Sequence, residues 1–352
     1  MQAVRKGRGA ASNRSGRYER ARAEAFDDGW GTAAEEPAPL RTTVTEEAPR
    51  TIISRNDSPD IGFDRSINPY RGCEHGCIYC YARPTHAWLG LSPGLDFESR
   101  LYAKPTAPAL LEKELARPGY RCAVLAIGTN TDAYQPIEKR YAIMRGILEV
   151  LARCRHPVSI TTKSALVLRD RDLLAEMAAE NLAHVTMSVT TLDGRLARSM
   201  EPRASAPGRR LEAVAGLREA GVPVSVNFAP IIPALNDHEM EAVLEAAAGA
   251  GAGAAGYTLL RLPMEIADLF REWLEAHAPD RAARVLSRVR DMRGGPLYKS
   301  AFHVRMKGEG AWAETVSKRF AIACRRLGLA RGYGRLDDTR FRPPGAQLHL
   351  EL

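Results

Sequence analysis

The amino-acid sequence predicts an α/β protein whose core is a parallel sheet. Two observations support this prediction: short apolar runs typical of buried strands recur along the chain, and segments with the apolar spacing of a helix separate them. Strands that alternate with helices form parallel sheets, because each helix carries the chain back to the end of the sheet where the strand began. With 352 residues, 45% of them apolar, the chain is long enough to bury such a core.

The N-terminal residues 1–55 are expected to form a tail that is disordered or weakly helical. They are rich in Ala, Gly, Arg and Glu and contain few aliphatic runs. Trp30 is the one anchor expected to dock on the body of the protein. Residues 1–23 hold seven Lys or Arg and one Glu, a net charge of +6. A tail of this kind either contacts a polyanion or stays solvated and aids solubility.

Six strand-like runs follow the tail, and the first lies around Ile67. All are short, and apolar or β-branched residues dominate them. The other five cover residues 124–127, 158–162, 185–189, 222–228 and 257–262. Their periodicity allows either a partial (β/α)6 barrel or a doubly wound open sheet, and both architectures bind their ligand at the carboxyl ends of the strands.

Helices are expected between and after these strands. In the clearest case, apolar residues spaced by three or four positions line one helix face: Ile137, Tyr141, Met144, Leu148 and Leu151. The predicted helices cover residues 108–117, 137–151, 170–181, 208–220, 237–248, 265–290 and 312–327. Those that lie between strands supply the crossovers of a parallel sheet.

The predicted organisation has four parts. The tail over residues 1–55 is followed by a barrel core over 56–263, a C-terminal helical and lid extension over 264–335, and a tail over 336–352. Residues 324–352 carry +3, so of the total charge of +8 the body between the two ends retains only −1 and is no basic cleft. Polar and aromatic groups crowd residues 298–312, which either close the barrel mouth over a substrate or pack as an ordinary lid.

Three of the six cysteines fall within eight residues, in the pattern Cys73-x3-Cys77-x2-Cys80. Thiolates are soft ligands that select zinc, copper(I) or iron–sulfur clusters. Structural zinc and ordinary four-iron clusters normally use four protein ligands. Three thiolates on a four-iron cluster leave one iron with an open position, where a substrate or cofactor can bind. The remaining cysteines are scattered singly: Cys122, Cys154 and Cys324.

This cysteine spacing, with Tyr79 directly before the last cysteine, resembles the radical S-adenosylmethionine (radical SAM) superfamily. The resemblance implies a [4Fe–4S] cluster on Cys73, Cys77 and Cys80, with S-adenosylmethionine chelated by the open iron and Tyr79 packed on its adenine. It further implies that an electron from the cluster splits the cofactor to give a 5′-deoxyadenosyl radical. The fold implied is a partial (β/α)6 barrel of the radical SAM type.

Residues at the predicted strand ends resemble the spore photoproduct lyase-like branch of the superfamily, also called DNA repair photolyase-like, over residues 67–237. Within that branch, Lys163 matches a lysine that contacts the methionine carboxylate, and a lysine head is a compact charge suited to this role. Ser188 matches a serine that contacts the cofactor, and Thr131 matches a hydroxyl residue near the methionine amino group. Both hydroxyl residues also fit ordinary turn or strand positions.

Other polar residues near the strand ends have weaker interpretations. Asp132 is typical of a cap for the next helix. Residues 201–203 form either a buried ion-pair corner under the cofactor or a surface turn. Asn130, Tyr134 and Gln135 are candidates to face the substrate. No catalytic residue is assigned.

The sequence departs from the branch at Thr129. In photoproduct lyases the matching position holds a cysteine that donates hydrogen to the product radical, and the O–H bond of threonine is too strong to replace a thiol. Cys122 lies earlier on the approach to the same strand, where a buried structural role is expected. Thr129 therefore argues against photoproduct repair but not against radical generation.

Three hypotheses for function remain. The protein is a radical SAM enzyme acting on a nucleic-acid lesion, a radical SAM enzyme acting on a small metabolite or protein side chain, or a zinc-stabilised, non-enzymatic binding module completed by His75 or His86. The expected partners are DNA and an electron donor such as flavodoxin or ferredoxin. No membrane contact is expected, because no stretch approaches the roughly 20 apolar residues of a span. Reduced thiols and the lack of an apolar signal region predict a cytoplasmic location.

Overall fold

The structure is a computed structural model that describes residues 5–19 and 40–345. The expectation that Trp30 docks on the body lies outside these residues, as does the end of the predicted C-terminal tail, from residue 346 onward. None of the helices within the two described ranges combines the length and the apolar character needed to cross a membrane.

Short strands build the core of the protein. Each central strand lies close to a run expected from the sequence. In chain order, the strands of the described ranges are β1 (Thr43–Glu46), β2 (Ile53–Arg55), β3 (Arg65–Ile67), β4 (Tyr70–Arg71), β5 (Arg100–Ala103), β6 (Leu125–Ile127), β7 (Val158–Thr162), β8 (Ala183–Ser188), β9 (Val224–Ile231), β10 (Ala254–Leu259) and β11 (Ala330–Arg331).

The main sheet has eight strands in the order β11-β10-β9-β8-β7-β6-β3-β2. Six strands of this sheet, β3 and β6 to β10, pair in parallel, each with the strand of the same sheet that follows it in the sequence. A doubly wound sheet reverses its strand order at a switch point, and no reversal occurs among these six strands. The sheet is therefore singly wound, and the partial (β/α)6 barrel is confirmed over the open doubly wound alternative.

Helices separate the parallel strands and continue after the last of them. They are α1 (Leu95–Ser99), α2 (Ala107–Leu115), α3 (Glu138–Tyr141), α4 (Ile143–Arg153), α5 (Arg171–Ala179), α6 (Gly194–Met200), α7 (Pro207–Glu219), α8 (Met240–Gly249), α9 (Ile266–His277), α10 (Pro279–Asp291), α11 (Val304–Lys307) and α12 (Gly310–Arg326). Short 3-10 helices cover Arg83–Leu89, Ala165–Asp170 and Asp237–Glu239.

Two helices predicted as continuous are each divided in two. The predicted helix 265–290 breaks at Ala278, because the following Pro279 disfavours a helical conformation at the residue before it. The predicted helix 137–151 breaks at Ala142, whose φ of 49° is left-handed. The Glu138 carboxylate accepts hydrogen bonds from the first N–H groups of α4, so the second helix has its own N-terminal cap.

The described parts of the N-terminal segment differ from the disordered or weakly helical tail expected for residues 1–55. The strand β1 pairs in parallel with β5 in a three-stranded sheet, and β2 pairs with β3 at one end of the main sheet. Residues 5–19 lie against the body, where Arg8 is 5% exposed. The composition of the segment did not indicate this packing, because main-chain groups make many of its contacts.

Candidate active site

The predicted cluster ligands Cys73, Cys77 and Cys80 lie on one loop between β4 and the 3-10 helix Arg83–Leu89. All three are free thiols. The first two are buried and the third is half-buried. The sequence motif therefore becomes a compact group of sulfur donors near the carboxyl end of β3, the first parallel strand.

Two glycines shape this loop. Gly72 has a φ of 73° and Gly76 a φ of 68°, a left-handed conformation that favours glycine. A Cβ on Gly72 would stand 2.7 Å from Leu101 and 2.9 Å from the carbonyl oxygen of Phe97. A Cβ on Gly76 would stand 2.7 Å from a carboxylate oxygen of Glu98. The loop can therefore turn tightly just before Cys73 and Cys77 because these two positions lack side chains.

The fully buried Arg83 side chain holds the cysteine loop through hydrogen bonds to its backbone. Its guanidinium donates to the carbonyl oxygens of Cys77 at 2.9 Å and Gly76 at 3.0 Å. It also forms a salt bridge with Glu98, another fully buried side chain. A buried arginine costs free energy unless it is paired and hydrogen-bonded, and both conditions are met here. The sequence analysis did not identify Arg83, since no pattern separates a buried arginine from an exposed one.

Gln135 supports the loop from the other side. Its side-chain amide donates to the carbonyl oxygen of Gly72 at 3.1 Å and accepts from the N–H of Glu74 at 2.8 Å. The expectation that Gln135 and Tyr134 face a substrate is wrong, because both side chains are fully buried. Asn130 is half-buried, and its predicted place beside a substrate stays a prediction.

The electrostatic surroundings of the thiols fit a metal cluster. Burial raises the pKa of the Cys73 thiol, and the nearby Asp132 and the other two thiols raise it further. Burial also raises the pKa of Cys77, although the Lys163 ammonium opposes this rise. The Cys73 and Cys77 thiols are therefore buried, uncharged donors. A positively charged iron–sulfur core would displace their protons, so the donor set suits such a cluster.

Tyr79 is fixed by a buried network. Its hydroxyl donates to Glu201 and lies 3.1 Å from the hydroxyl of Thr190. Glu201 forms a salt bridge with Arg210, and both side chains are almost completely buried. The Lys163 Nζ atom lies 5.8 Å from the centroid of the Tyr79 ring. Two residues predicted to contact the cofactor are therefore neighbours next to the cysteine loop.

The corner at residues 201–203 is buried at its first residue. The fully buried Glu201–Arg210 pair agrees with an ion-pair corner rather than a surface turn. Arg203 instead is 39% exposed and forms a 3.0 Å salt bridge with Glu74 in the cysteine loop. The corner thus links the loop to α6 and α7.

The two predicted hydroxyl contacts already have protein partners. Ser188, at the end of β8, donates to the carbonyl oxygen of Ala229 at 3.3 Å. Thr131 donates to the carbonyl oxygen of Tyr70 at 3.0 Å, which ties the segment after β6 to β4. Both residues are 2% exposed. The structure brings them to the carboxyl ends of the strands, and their cofactor contacts stay predictions.

Asp132 joins the cysteine loop to the end of β7. Its carboxylate accepts from the Thr162 hydroxyl and from the Lys163 N–H, each at 2.7 Å, and lies 3.4 Å from Nδ1 of His75. Burial alone would raise the pKa of Asp132, but these partners outweigh it and hold the pKa at about 2. The expectation of a helix cap is incomplete, because Asp132 connects two strand ends and a loop.

The histidines proposed to complete a zinc site are engaged elsewhere. His86 lies 2.9 Å from the Arg100 carbonyl oxygen through Nε2, and His75 is directed to Asp132. Within residues 5–19 and 40–345, no three His, Cys, Asp or Glu side chains converge on a single metal position. In a four-iron cluster each thiolate binds a separate iron, so the ligands need not converge. The other three cysteines lie outside the loop: Cys122, Cys154 and Cys324.

Tyr81, directly after the last cysteine of the loop, contacts residues that follow two strands of the main sheet. Its side chain is 47% exposed. Its hydroxyl donates to the carbonyl oxygen of Thr129, and the Arg261 guanidinium stands 4.3 Å from the centroid of its ring. These three residues form one wall of the candidate active site, next to the cysteine loop.

Comparison with known proteins identifies the chain's relatives. The family model of the radical SAM superfamily matches residues 67–247, just over half of the chain. An uncharacterized protein of Mycobacterium tuberculosis is 37% identical over 250 residues, which are 70% of this chain and 72% of that protein. An uncharacterized protein of Methanocaldococcus jannaschii is 34% identical over 173 residues, 49% of this chain and 62% of that protein.

Solved structures of spore photoproduct lyase share the fold. The complex with dinucleoside spore photoproduct matches with a TM-score of 0.61 at 14% identity, over 82% of each chain. A doubly substituted variant with bound AdoMet and dinucleoside spore photoproduct matches with a TM-score of 0.58, also at 14% identity and over 82% of each chain. At such identities the likeness concerns the fold.

Proposed function

The chain belongs to the radical SAM superfamily and is an enzyme, and from this premise we propose that it binds a [4Fe–4S] cluster through Cys73, Cys77 and Cys80 and cleaves S-adenosylmethionine reductively. The observation that carries the proposal is the loop of three free thiols, two of them buried, whose Tyr79 ring lies 5.8 Å from the Lys163 ammonium. The hypothesis of a zinc-stabilised, non-enzymatic module is wrong, since the family is one of enzymes.

The residues around the loop have distinct proposed roles. When bound, the cluster and its cofactor supply the electron and the 5′-deoxyadenosyl radical, and the protein supplies position and exclusion of water. Lys163 binds the methionine carboxylate, because its ammonium lies beside both Cys77 and the Tyr79 ring. The Tyr79 ring packs on adenine and is held in place by Glu201. Ser188 contacts the cofactor from the end of β8.

Thr131 is proposed to act next to the methionine amino group. Its hydroxyl hydrogen points to the Tyr70 carbonyl, which leaves the oxygen lone pairs to accept from an ammonium group. This arrangement gives Thr131 both a structural and a binding role. The same contact keeps the segment after β6 close to the cysteine loop.

Substitution of Cys77 tests the proposal. With Cys77→Ala we expect loss of cluster iron and of 5′-deoxyadenosine formation after reduction by dithionite, because the cluster loses one of its three ligands. Cys122→Ala is the matched control, since Cys122 lies outside the loop, and should retain both properties. A Cys77→Ala protein that still forms 5′-deoxyadenosine would contradict the proposal.

For the substrate we propose a lesion in nucleic acid. The support is the shared fold with spore photoproduct lyase, whose complex contains a dinucleoside spore photoproduct, and the basic ends of the chain. Full-length protein should bind DNA with a steep salt dependence that persists after removal of residues 1–23. Absence of binding at low salt would contradict this choice.

A second candidate substrate is a small metabolite or a protein side chain. Thr129, which provides no thiol hydrogen donor, and the body's net charge of −1 favour it. Transfer of deuterium from labelled cofactor to a product in cell extract distinguishes the two, because the labelled product is either nucleic acid or not.

The remaining assignments are also proposals. An electron donor such as flavodoxin or ferredoxin reduces the cluster, and the protein acts in the cytoplasm, where its thiols stay reduced. The barrel core over residues 56–263 carries the chemistry, and the extension over 264–335 covers the barrel mouth. Co-purification of iron with a fragment of residues 1–335 but not with one of residues 1–263 would indicate that the extension is needed to retain the cluster.

A further inference from the structure

Arg261 occupies the carboxyl end of the last barrel strand. It lies two residues after β10, at the same edge of the sheet at which Lys163 follows β7. Ligands of parallel α/β folds bind at this edge. The sequence analysis placed Arg261 inside the predicted strand 257–262, and so did not consider it as a functional residue.

The guanidinium of Arg261 is held in place without a carboxylate. It stands over the Tyr81 ring at 4.3 Å, and its Nη1 lies 3.1 Å from the sulfur of Met306 in α11. No aspartate or glutamate in the described ranges forms a salt bridge with it. An aromatic face and a thioether fix the position of the charge but do not neutralise it.

A second cation lies near Arg261. The Arg293 side chain is fully buried and donates to the carbonyl oxygens of Leu260 and Val304, both at 2.7 Å. Its Nε atom has no hydrogen-bond partner in the described part of the chain. Burial, together with the charge of Arg261, lowers the pKa of Arg293 to about 10. Two guanidinium groups therefore lie near each other, and carbonyl, aromatic and sulfur contacts hold them.

The other arginines near the site are paired differently. Arg83 forms a salt bridge with Glu98, Arg210 with Glu201, and Arg305 with Asp60 at 2.6 Å. In each of these pairs a carboxylate neutralises the guanidinium, and the pair stabilises the local fold. Arg261, by contrast, keeps N–H donors that have no carboxylate or carbonyl acceptor in the described part of the chain, next to the exposed Tyr81 ring. A guanidinium with free donors matches the geometry of phosphate and carboxylate groups.

We propose that Arg261, positioned by the Tyr81 ring, binds an oxyanion of the substrate, a phosphate or a carboxylate, at the barrel mouth beside the cysteine loop. The inference rests on the proposed function, because it assumes that the substrate reaches this wall. The oxyanion is not the cofactor carboxylate assigned to Lys163. Three interstrand spacings of about 4.8 Å separate β7 from β10.

Calorimetric titration of the anaerobically reconstituted, full-length protein with S-adenosylmethionine present tests the inference. The probes are dithymidine monophosphate, its uncharged methylphosphonate analogue, inorganic phosphate and succinate. In the analogue a methyl group replaces the charged non-bridging oxygen, and the last two probes separate a free phosphate from a carboxylate. The variants are Arg261→Met, Arg261→Lys and, as control, Arg281→Met on the exposed face of α10.

We expect the unsubstituted protein to bind at least one anionic probe, with about tenfold preference for the charged dinucleotide over its neutral analogue if the oxyanion is a phosphodiester. Arg261→Met should abolish binding of whichever anion is preferred, Arg261→Lys should retain part of it, and Arg281→Met should leave it unchanged. None of these substitutions should change the iron content or the affinity for S-adenosylmethionine.

Three results would overturn the inference. They are no binding of any anionic probe to the unsubstituted protein, unchanged anion binding by Arg261→Met, and weaker binding of S-adenosylmethionine itself by Arg261→Met. The last result would assign Arg261 to the cofactor. Failure of the proposed function is a separate outcome, since it appears as missing iron or missing cofactor cleavage in the unsubstituted protein.

Discussion

At the scale of single residues, Lys163 has the most consequential position. Its main-chain N–H donates to Asp132, and its ammonium lies beside Cys77 and 5.8 Å from the Tyr79 ring centroid. The backbone contact fixes the residue, while the side chain stays available, because no salt bridge engages it within the described ranges. A positive charge held in this way suits a carboxylate of the cofactor.

Lys163→Met should weaken binding of S-adenosylmethionine without loss of iron. A hydrogen bond to a charged group contributes about 1.5–3 kcal/mol, which corresponds to roughly tenfold to more than a hundredfold in Kd. Equilibrium dialysis of reconstituted protein measures the change. Lys113→Met on the exposed face of α2 is the control. An unchanged Kd for Lys163→Met would remove the lysine from the cofactor site.

The buried ion pairs act through geometry more than through stability. Arg83–Glu98 holds the cysteine loop, and Arg210–Glu201 holds Tyr79. A buried pair gains little net free energy, because the loss of hydration opposes the attraction of the charges. Such pairs fix the orientation of the groups they contact. Here they orient the backbone that carries the thiols and the Tyr79 ring beside them.

At the scale of elements, the N-terminal segment 5–19 forms part of the support for the cysteine loop. The N–H groups of Gly9 and Ala10 donate to the Glu98 carboxylate at 2.9 and 2.8 Å. Arg8 donates to the Glu98 carbonyl at 2.7 Å. Because Glu98 also pairs with Arg83, the segment and the loop share one buried carboxylate.

Gly9→Ala should displace this segment. A Cβ at residue 9 would stand 1.8 Å from the carbonyl oxygen of Gly76, a main-chain atom of the cysteine loop. Relief of the overlap should cost about 1–3 kcal/mol, measured as a loss of unfolding free energy in urea. Gly62→Ala is the control, because a Cβ there would meet nothing within 4 Å. Equal stability of the two variants would show that the segment does not pack against the cysteine loop.

The sequence was informative for elements that follow a periodic pattern. The run predicted at 158–162 coincides with β7, and the other central strands overlap their predictions, because buried parallel strands are continuous apolar runs. No sequence pattern indicates the contact of residues 5–19 with Glu98, because main-chain N–H groups form this contact. Arg83 was missed, and Gln135 was assigned the wrong role, for a related reason: polar residues that bind backbone atoms look like surface residues in a sequence.

At the scale of the whole molecule, the segment 298–312 bridges the two sides of the barrel. Arg305 forms a 2.6 Å salt bridge with Asp60, which lies between β2 and β3 at one side. Met306 contacts Arg261 after β10, the last barrel strand, at the other. The segment is therefore attached at both sides of the main sheet, and its closure of the barrel mouth over a substrate stays a prediction.

Asp60→Asn should loosen this segment while the sheet stays intact. The substitution removes the charge that Arg305 binds, and a less firmly attached segment opens more often. Hydrogen exchange measured by mass spectrometry should become faster across residues 298–312 and remain unchanged in β7 and β8. Asp280→Asn, at an exposed position in α10, is the control. Unchanged exchange in the segment would contradict its attachment through Asp60.

The two halves of the site differed in how far the sequence could predict them. The predicted cofactor residues come from a short motif and from strand ends, and the structure brings Cys77, Tyr79 and Lys163 together. The proposed oxyanion site joins Tyr81 to Arg261, which are far apart in the sequence and become neighbours only in the folded chain. No local pattern indicates such a pair.

The central claim is that three cysteines hold a cluster with one open iron. Electron paramagnetic resonance of the dithionite-reduced, reconstituted protein, recorded with and without S-adenosylmethionine, tests it most directly. We predict a reduced [4Fe–4S] signal whose g values shift when the cofactor binds the open iron. A spectrum that does not change on saturation with the cofactor, or a reconstituted protein without a cluster signal, would contradict the account.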